Sequence, residues 1–361
     1  MRTFTLFTAT TLALSSLAAC RQVLGIETQA NQAGGPDADA DAAVVVRDAG
    51  SPFAVVNGQP QGETLYGIWG SGPDFFVAVG SSSVSFVYAK GKLNRLGGNS
   101  LGRDYSAVWG TSDNNVYAVG RRPSGGFVDH FDGIGWTEVY QTKTALYGVW
   151  GVPEGAGSVL AVGAEGKIFA TSADGTWGLI QTIPKVETSD DVTLWSISGR
   201  SAGDFTIAGG KRLFHWEPAA GGIAYYEPEI DVSVRFAWQL PGPTTSVLLG
   251  TNNYGVAWFN GSGGDGPPGE DAAVSYKMTD LIHDEASPGA KFAYIEGIWG
   301  TAEKIIAVGD QGRIYTCNTG TMDPKTIPSP TDESLGAVWG SSLDDVWIVG
   351  RRELILHGSI R

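Results

Sequence analysis

Short apolar runs that end in glycine recur along this chain in pairs. Leu65-Tyr66-Gly67-Ile68-Trp69-Gly70 is followed by Val77-Ala78-Val79-Gly80, and Tyr105-Ser106-Ala107-Val108-Trp109-Gly110 by Tyr117-Ala118-Val119-Gly120. Near the C-terminus, Leu335-Gly336-Ala337-Val338-Trp339-Gly340 precedes Trp347-Ile348-Val349-Gly350 in the same way. Runs this short, bounded by Gly, Asp and Asn, read as strands. No sustained apolar period of 3.6 residues appears beyond the first twenty residues, so almost no helix is expected. The second unit contains four such runs, at 105–109, 115–119, 126–131 and 135–140, with Ser112-Asp113-Asn114 and Asp132-Gly133 as turn residues between them. Each unit therefore predicts a four-stranded antiparallel meander.

The positions equivalent to the end of the first run are Trp69, Trp109, Trp150, Ser198, Gln239, Trp299 and Trp339, spaced by 40, 41, 48, 41, 60 and 40 residues. Self-similarity at this period marks a repeat array of small sheets. Two copies are degenerate: Leu194-Trp195-Ser196-Ile197-Ser198-Gly199 lacks the terminal Trp, and the copy around Phe236-Ala237-Trp238-Gln239 keeps mainly its later Val247-Leu248-Leu249-Gly250. The longest step holds Gly261-Ser262-Gly263-Gly264-Asp265-Gly266-Pro267-Pro268-Gly269, a composition that reads as a surface insertion. The last unit supplies three runs, ending in Leu354-Ile355-Leu356-His357, while Pro52-Phe53-Ala54-Val55-Val56 stands unclaimed before the first. The expectation is an all-β, seven-bladed β-propeller over residues 51–361, closed by the N-terminal strand joining the last blade, which would hide the edge of an open array. Five of the seven Gly-preceding positions carry Trp, read as packing between neighbouring blades, each burying about 150–250 Å². As a set the repeats resemble the Trp-Gly/Val-Gly propeller repeats of bacterial exported proteins. They lack the Gly-His and Trp-Asp marks of WD repeats.

The N-terminus carries a different signal. Arg2, an apolar stretch through Leu12-Ala13-Leu14, and then Leu17-Ala18-Ala19-Cys20 have the layout of a secretory signal peptide over residues 1–19 rather than a spanning helix. The ending Leu-Ala-Ala-Cys resembles the lipobox of bacterial lipoproteins. That resemblance implies cleavage before Cys20, attachment of diacylglycerol to its thiol and acylation of its new amine, commonly with palmitate. With each buried acyl methylene contributing about 0.8 kcal/mol, such an anchor is effectively permanent. Arg21 after the lipidated position implies, by the same resemblance, sorting to the outer membrane, with the periplasmic or surface side left open. Residues 20–50, with Gln32-Ala33-Gly34-Gly35-Pro36-Asp37-Ala38-Asp39-Ala40-Asp41, are small and acidic and read as a flexible tether. Once Cys20 is lipidated, Cys317 is the remaining thiol, so no disulfide staples the ring and a buried, inert role is expected for it.

Charge narrows the partners. The chain carries 24 Lys and Arg against 38 Asp and Glu, a net −14, with three basic and five acidic residues in the first fifty. This balance argues against nucleic acid. In an antiparallel meander successive turns alternate between the two faces of the disc. First–second turns carry Asp74, Asp113, Glu154, Asp204, Glu303, Asp344 and Asp345, whereas second–third turns carry Arg121, Arg122, Lys167, Lys211, Arg212, Arg313, Arg351 and Arg352. These eight basic residues are the candidate anion-binding face, suited to an anionic glycan or an acidic protein segment.

Catalytic signatures are lacking. His130, His215, His283 and His357 match no zinc spacing, no Gly-x-Ser-x-Gly elbow occurs, and no cofactor motif is present, so no catalytic residue, metal or cofactor is expected. His130, His215 and His357 hold third-strand positions and read as repeat-related packing. Thr171-Ser172-Ala173-Asp174-Gly175-Thr176-Trp177 resembles the Asp-box of sialidase-type propellers, one residue short, and Arg121, Arg212 and Arg313 could converge as the arginines of that family do. In layout the chain is also similar to the propeller lipoprotein of the outer-membrane β-barrel assembly machine. The expected function is a membrane-anchored binding or assembly scaffold of the cell envelope, monomeric and not an enzyme. The alternatives are a sialidase-like glycan-processing enzyme and a cell-surface adhesin.

Overall fold

The computed structural model describes residues 26–27, 46–48, 50–56, 62–97, 102–152, 159–184, 192–201, 204–210, 212–217, 222–226, 234–239, 245–251, 255–261, 279–280, 294–319, 321 and 323–361. Residues 1–19, read as a signal peptide, Cys20, most of the stretch read as a tether, Glu154, Lys211, His283 and nearly all of the Gly261–Gly269 stretch lie outside them.

Among the described residues the strands form seven antiparallel sheets. Six are four-stranded and each is cut from one contiguous stretch of chain, called blades one to six here. Their innermost strands are Leu65–Gly72, Asp104–Ser112, Leu146–Gly151, Leu194–Ser201, Val234–Gln239 and Ile295–Gly300. Blade seven begins with Leu335–Ser342, and each innermost strand packs against the next around a circle that returns from blade seven to blade one.

The expectation of seven equivalent four-stranded blades closed by one N-terminal strand needs correction. Only six of the sheets are four-stranded blades. The remaining sheet is a six-stranded composite of both chain ends, ordered Ile26–Glu27, Val46–Asp48, Phe53–Val55, Ile355–Gly358, Asp345–Gly350, Leu335–Ser342. Phe53 faces Gly358, Ala54 faces His357 and Val55 faces Leu356. Three N-terminal strands are therefore stacked on three C-terminal ones. The physical reason is an edge: Ile355–Gly358 would otherwise expose a row of unpaired N–H and C=O groups. Phe53 carries the apolar half of the joint and is fully buried beside Leu335, Val346 and Leu356.

The repeated Trp and Gly lock blade to blade. A methyl group added at Gly110 would come within 2.9 Å of the Trp69 indole, and one at Gly340 within 2.8 Å of Trp299. Trp150 lies over Gly199 in the same way, and Trp339 of the last blade lies over Gly70 of the first. Each indole thus fills a notch that only a residue without a side chain leaves open. The second Gly of each pair, such as Gly80, meets the chain entering the innermost strand, where an added Cβ would stand 2.0 Å from the Thr64 carbonyl oxygen.

Ser198 and Gln239 occupy two of the Trp positions, and the seam between blades four and five is polar there. The Gln239 amide N–H donates to the Ser198 hydroxyl at 3.0 Å, and its side-chain nitrogen donates to Asp204 at 2.5 Å. The sequence is complementary: blade four has lost its Trp, and blade five has Leu240 where the receiving Gly would be.

Candidate functional site

Every innermost strand carries a β-bulge at the same place. Pairing with the second strand slips by one between Leu65 and Gly67, Tyr105 and Ala107, Leu146 and Gly148, and Leu194 and Ser196. It slips again between Val234 and Phe236, Ile295 and Gly297, and Leu335 and Ala337. The residue before each bulge is almost fully buried and anchors the strand. A bulge inserts one residue without a cross-strand partner and re-aims its side chain. Seven re-aimed residues result: Tyr66, Ser106, Tyr147, Trp195, Arg235, Glu296 and Gly336. All seven line one cavity of about 570 Å³ at the mouth of the central channel.

The occupants of this ring are chemically uneven. Tyr147 and Trp195 are in ring contact, with centroids 4.5 Å apart and planes tilted by 43°. The Arg235 guanidinium lies 4.2 Å above the Trp195 ring, within range of a cation–π attraction. Although Glu296 is exposed on the ring, desolvation by its neighbours pushes its carboxyl pKa up, with Arg235 opposing and Asp310 reinforcing the shift. Tyr66 is open, at 41% exposure.

Of the eight basic residues singled out from sequence, Arg121 and Arg351 line this cavity. Arg121 sits 3.6 Å from Asp104, and the exposed Arg351 makes no ion pair among the described residues. Four others are held by local partners: Arg122 by Glu138 at 2.8 Å, Lys167 by Glu165 at 2.6 Å, Arg313 by Asp310 at 3.3 Å and Arg352 by Glu333 at 2.9 Å. Arg212 starts the third strand of blade four, away from the lining, and Lys211 is outside the described residues. Of the trio Arg121, Arg212 and Arg313, only Arg121 reaches the cavity, and Glu296 is the one carboxylate among the described residues that line it.

Sequence reading did not pick out Tyr147, Trp195, Arg235 or Glu296. A signal was present nonetheless. In each copy the residue after the first buried one varies among Tyr, Ser, Trp, Arg, Glu and Gly while its neighbours repeat. A position that changes freely within a conserved internal frame is one the frame does not use for packing.

The other singled-out groups have structural partners. His130 bonds Asn115 at 2.9 Å, His357 bonds Asp345 at 2.8 Å, and His215 sits against Thr206 at 3.2 Å with Asp204 at 3.8 Å. All three tie a third strand to the start of the second. In the Asp-box-like turn, Asp174 accepts from Ser172 and Thr176, which hold its pKa down to about 2. Cys317 is buried, and burial with Asp323 nearby pushes its thiol up to about 11. Among the described residues no group of three His, Cys, Asp or Glu is placed to hold a metal, and no helix is long and apolar enough to cross a membrane.

No family model and no curated protein matches this chain. Solved structures do resemble it. YCF48 from Cyanidioschyzon merolae superposes with a TM-score of 0.66 at 14% identity, over 85% of this chain and 98% of that one. YCF48 bound to D1 peptide gives 0.63 at 13%, over 86% and 97%. The RRP9 WD40 repeats give 0.65 at 12%, over 86% and 97%. The fold is a β-propeller. At these identities the likeness extends to the fold alone.

Proposed function

We propose that this chain is a lipid-anchored β-propeller of a bacterial cell envelope that works as a binding scaffold, taking a segment of a partner protein at the mouth of its central channel. The observation that carries this reading is the convergence of seven bulge residues on one cavity. Their backbone positions repeat, but their side chains are diversified into aromatic, cationic, anionic and small groups. Packing alone gives no reason for that diversity, whereas recognition of an asymmetric ligand requires it. A propeller of similar shape has been solved with a peptide bound, which supports a peptide as the occupant. Binding is favoured over sialidase-like catalysis because the lining offers one carboxylate where a glycosidase needs two facing each other.

The anchor rests on Leu17-Ala18-Ala19-Cys20, and the outer membrane on Arg21. Two measurements test the whole. Labelled palmitate should enter the wild-type protein and not Cys20→Ala. Crosslinking in intact envelopes should capture a partner protein that Trp195→Ala and Tyr66→Ala together release. Unchanged capture by that double variant would remove the channel mouth as the binding site.

A further inference from the structure

The ring at the channel mouth has two unlike halves. From blade three to blade six it is filled by bulk that is already engaged. Trp195 has Tyr147 against its ring and Arg235 stacked on it, and Glu296 lies on the same side. From blade seven through blade one to blade two the bulge positions are Gly336, Tyr66 and Ser106, with Thr64, Ala107 and Ser334 beside them. Tyr66 stands exposed between two neighbours that have almost no side chain. Gly336 runs so close to blade one that a Cβ there would approach the Leu65 carbonyl oxygen to 2.5 Å, so the gap beside Tyr66 is built into the backbone. Arg351 of blade seven and Arg121 of blade two flank this open half.

Resting on the reading of the channel mouth as a peptide-binding site, we infer that the ligand is an acidic peptide segment seated over blades seven, one and two. An apolar or aromatic side chain of the peptide lies on Tyr66, and its carboxylates meet Arg351 and Arg121. Charge sets the orientation: the open half carries two guanidiniums, Arg351 without an ion pair among the described residues and Arg121 with Asp104 at 3.6 Å, while the one guanidinium of the filled half, Arg235, lies on the Trp195 ring with Glu296 beside it. The engaged half serves as a wall.

The test uses the detergent-solubilised full-length chain and a fluorescein-labelled peptide of four glutamates around one tryptophan, read by anisotropy. Controls replace the glutamates with glutamine or with lysine. Exposed guanidinium–carboxylate contacts are each weak, so Arg351→Ser and Arg121→Ser should each weaken binding by about three- to fivefold and the double variant by about tenfold. Ser106→Trp should block the gap; it replaces the more obvious substitution at Gly336, which would collide with Leu65. Arg313→Ser, whose side chain is held by Asp310 away from the cavity lining, should stay within about twofold, and thermal melting confirms that each variant is folded. If the acidic peptide binds but loses affinity only with Arg235→Ser or Trp195→Ala, the ligand sits on the other half and this inference fails while the binding-site reading stands. Equal binding of the glutamine or lysine peptide overturns the acidic ligand. If no variant in either half alters binding, or no peptide binds at all, the reading falls and the inference with it.

Discussion

The seam between blades seven and one and the seam between blades four and five hold equivalent places in the ring, yet they are built from opposite materials. At the first, Trp339 lies over Gly70, and Trp347, Phe76 and Tyr88 form a cluster with centroids 4.6–5.1 Å apart. Arg95 of blade one grips Glu353 of blade seven through two contacts, at 2.9 and 2.6 Å. At the second, Ser198 and Gln239 stand where indoles would be, and Gln239 joins Asp204, which also binds Arg200. The Gln239 side-chain oxygen is buried with no hydrogen-bond partner among the described residues. The closing seam joins chain ends more than 250 residues apart, and only strong side-chain contact offsets the entropy of bringing them together. Blades four and five are chain neighbours, so their seam tolerates weaker filling.

Substitutions can break or sharpen this contrast. The largest effect is expected from Trp339→Ala, which empties the notch above Gly70 and should cost about 3 kcal/mol in chemical denaturation; a loss below 1 kcal/mol would mean that the indole does not close the ring. Next is Arg95→Ala. It removes both guanidinium contacts from the nearly buried Glu353 carboxylate, which still accepts from the Glu63 N–H at 3.3 Å, and because Arg95 is itself partly exposed the expected cost is about 1 kcal/mol. Reducing that cost by adding Glu353→Gln would confirm that the loss of the guanidinium opposite the Glu353 charge is responsible. At the polar seam, Gln239→Leu removes the unpartnered oxygen along with the bond to Asp204, and a net change within about 1 kcal/mol is expected. A loss as large as that of Trp339→Ala would abolish the distinction between the seams.

The smallest effect concerns pH and sits away from both seams. Burial lowers the pKa of His130 below its ordinary value. The unfolded chain therefore binds a proton that the folded one resists, and stability falls as pH drops from about 6.5 toward the lowered value. His130→Gln should flatten acid melts in that window equally for both seam variants. A slope that survives the substitution would point to another group.

Much of this was legible in the residues. The period, the strand runs and the Trp and Gly positions that lock blade to blade all leave marks in one dimension, because each depends on side-chain size at a repeated spacing. The two additional N-terminal strands left none: Val46-Arg47-Asp48 and Ile26-Glu27 are too short and too polar to stand out from a tether. Nor did the chain reveal which basic residues matter. Arg122, Arg313 and Arg351 look alike in sequence, but the first two lie within reach of Glu138 and Asp310 and the third does not.

What the sequence alone determined is the module: apolar runs of strand length, glycines where backbones nearly touch, and indoles to fill the notches those glycines leave. Local sterics and burial act over a few residues, and a linear code can carry them. What only the tertiary structure decided is the site. A bulge repeated in every blade turns one unremarkable position per module toward a common axis, bringing Tyr66, Arg235 and Glu296 together from segments far apart in the chain. Their shared chemistry exists only after the ring has formed.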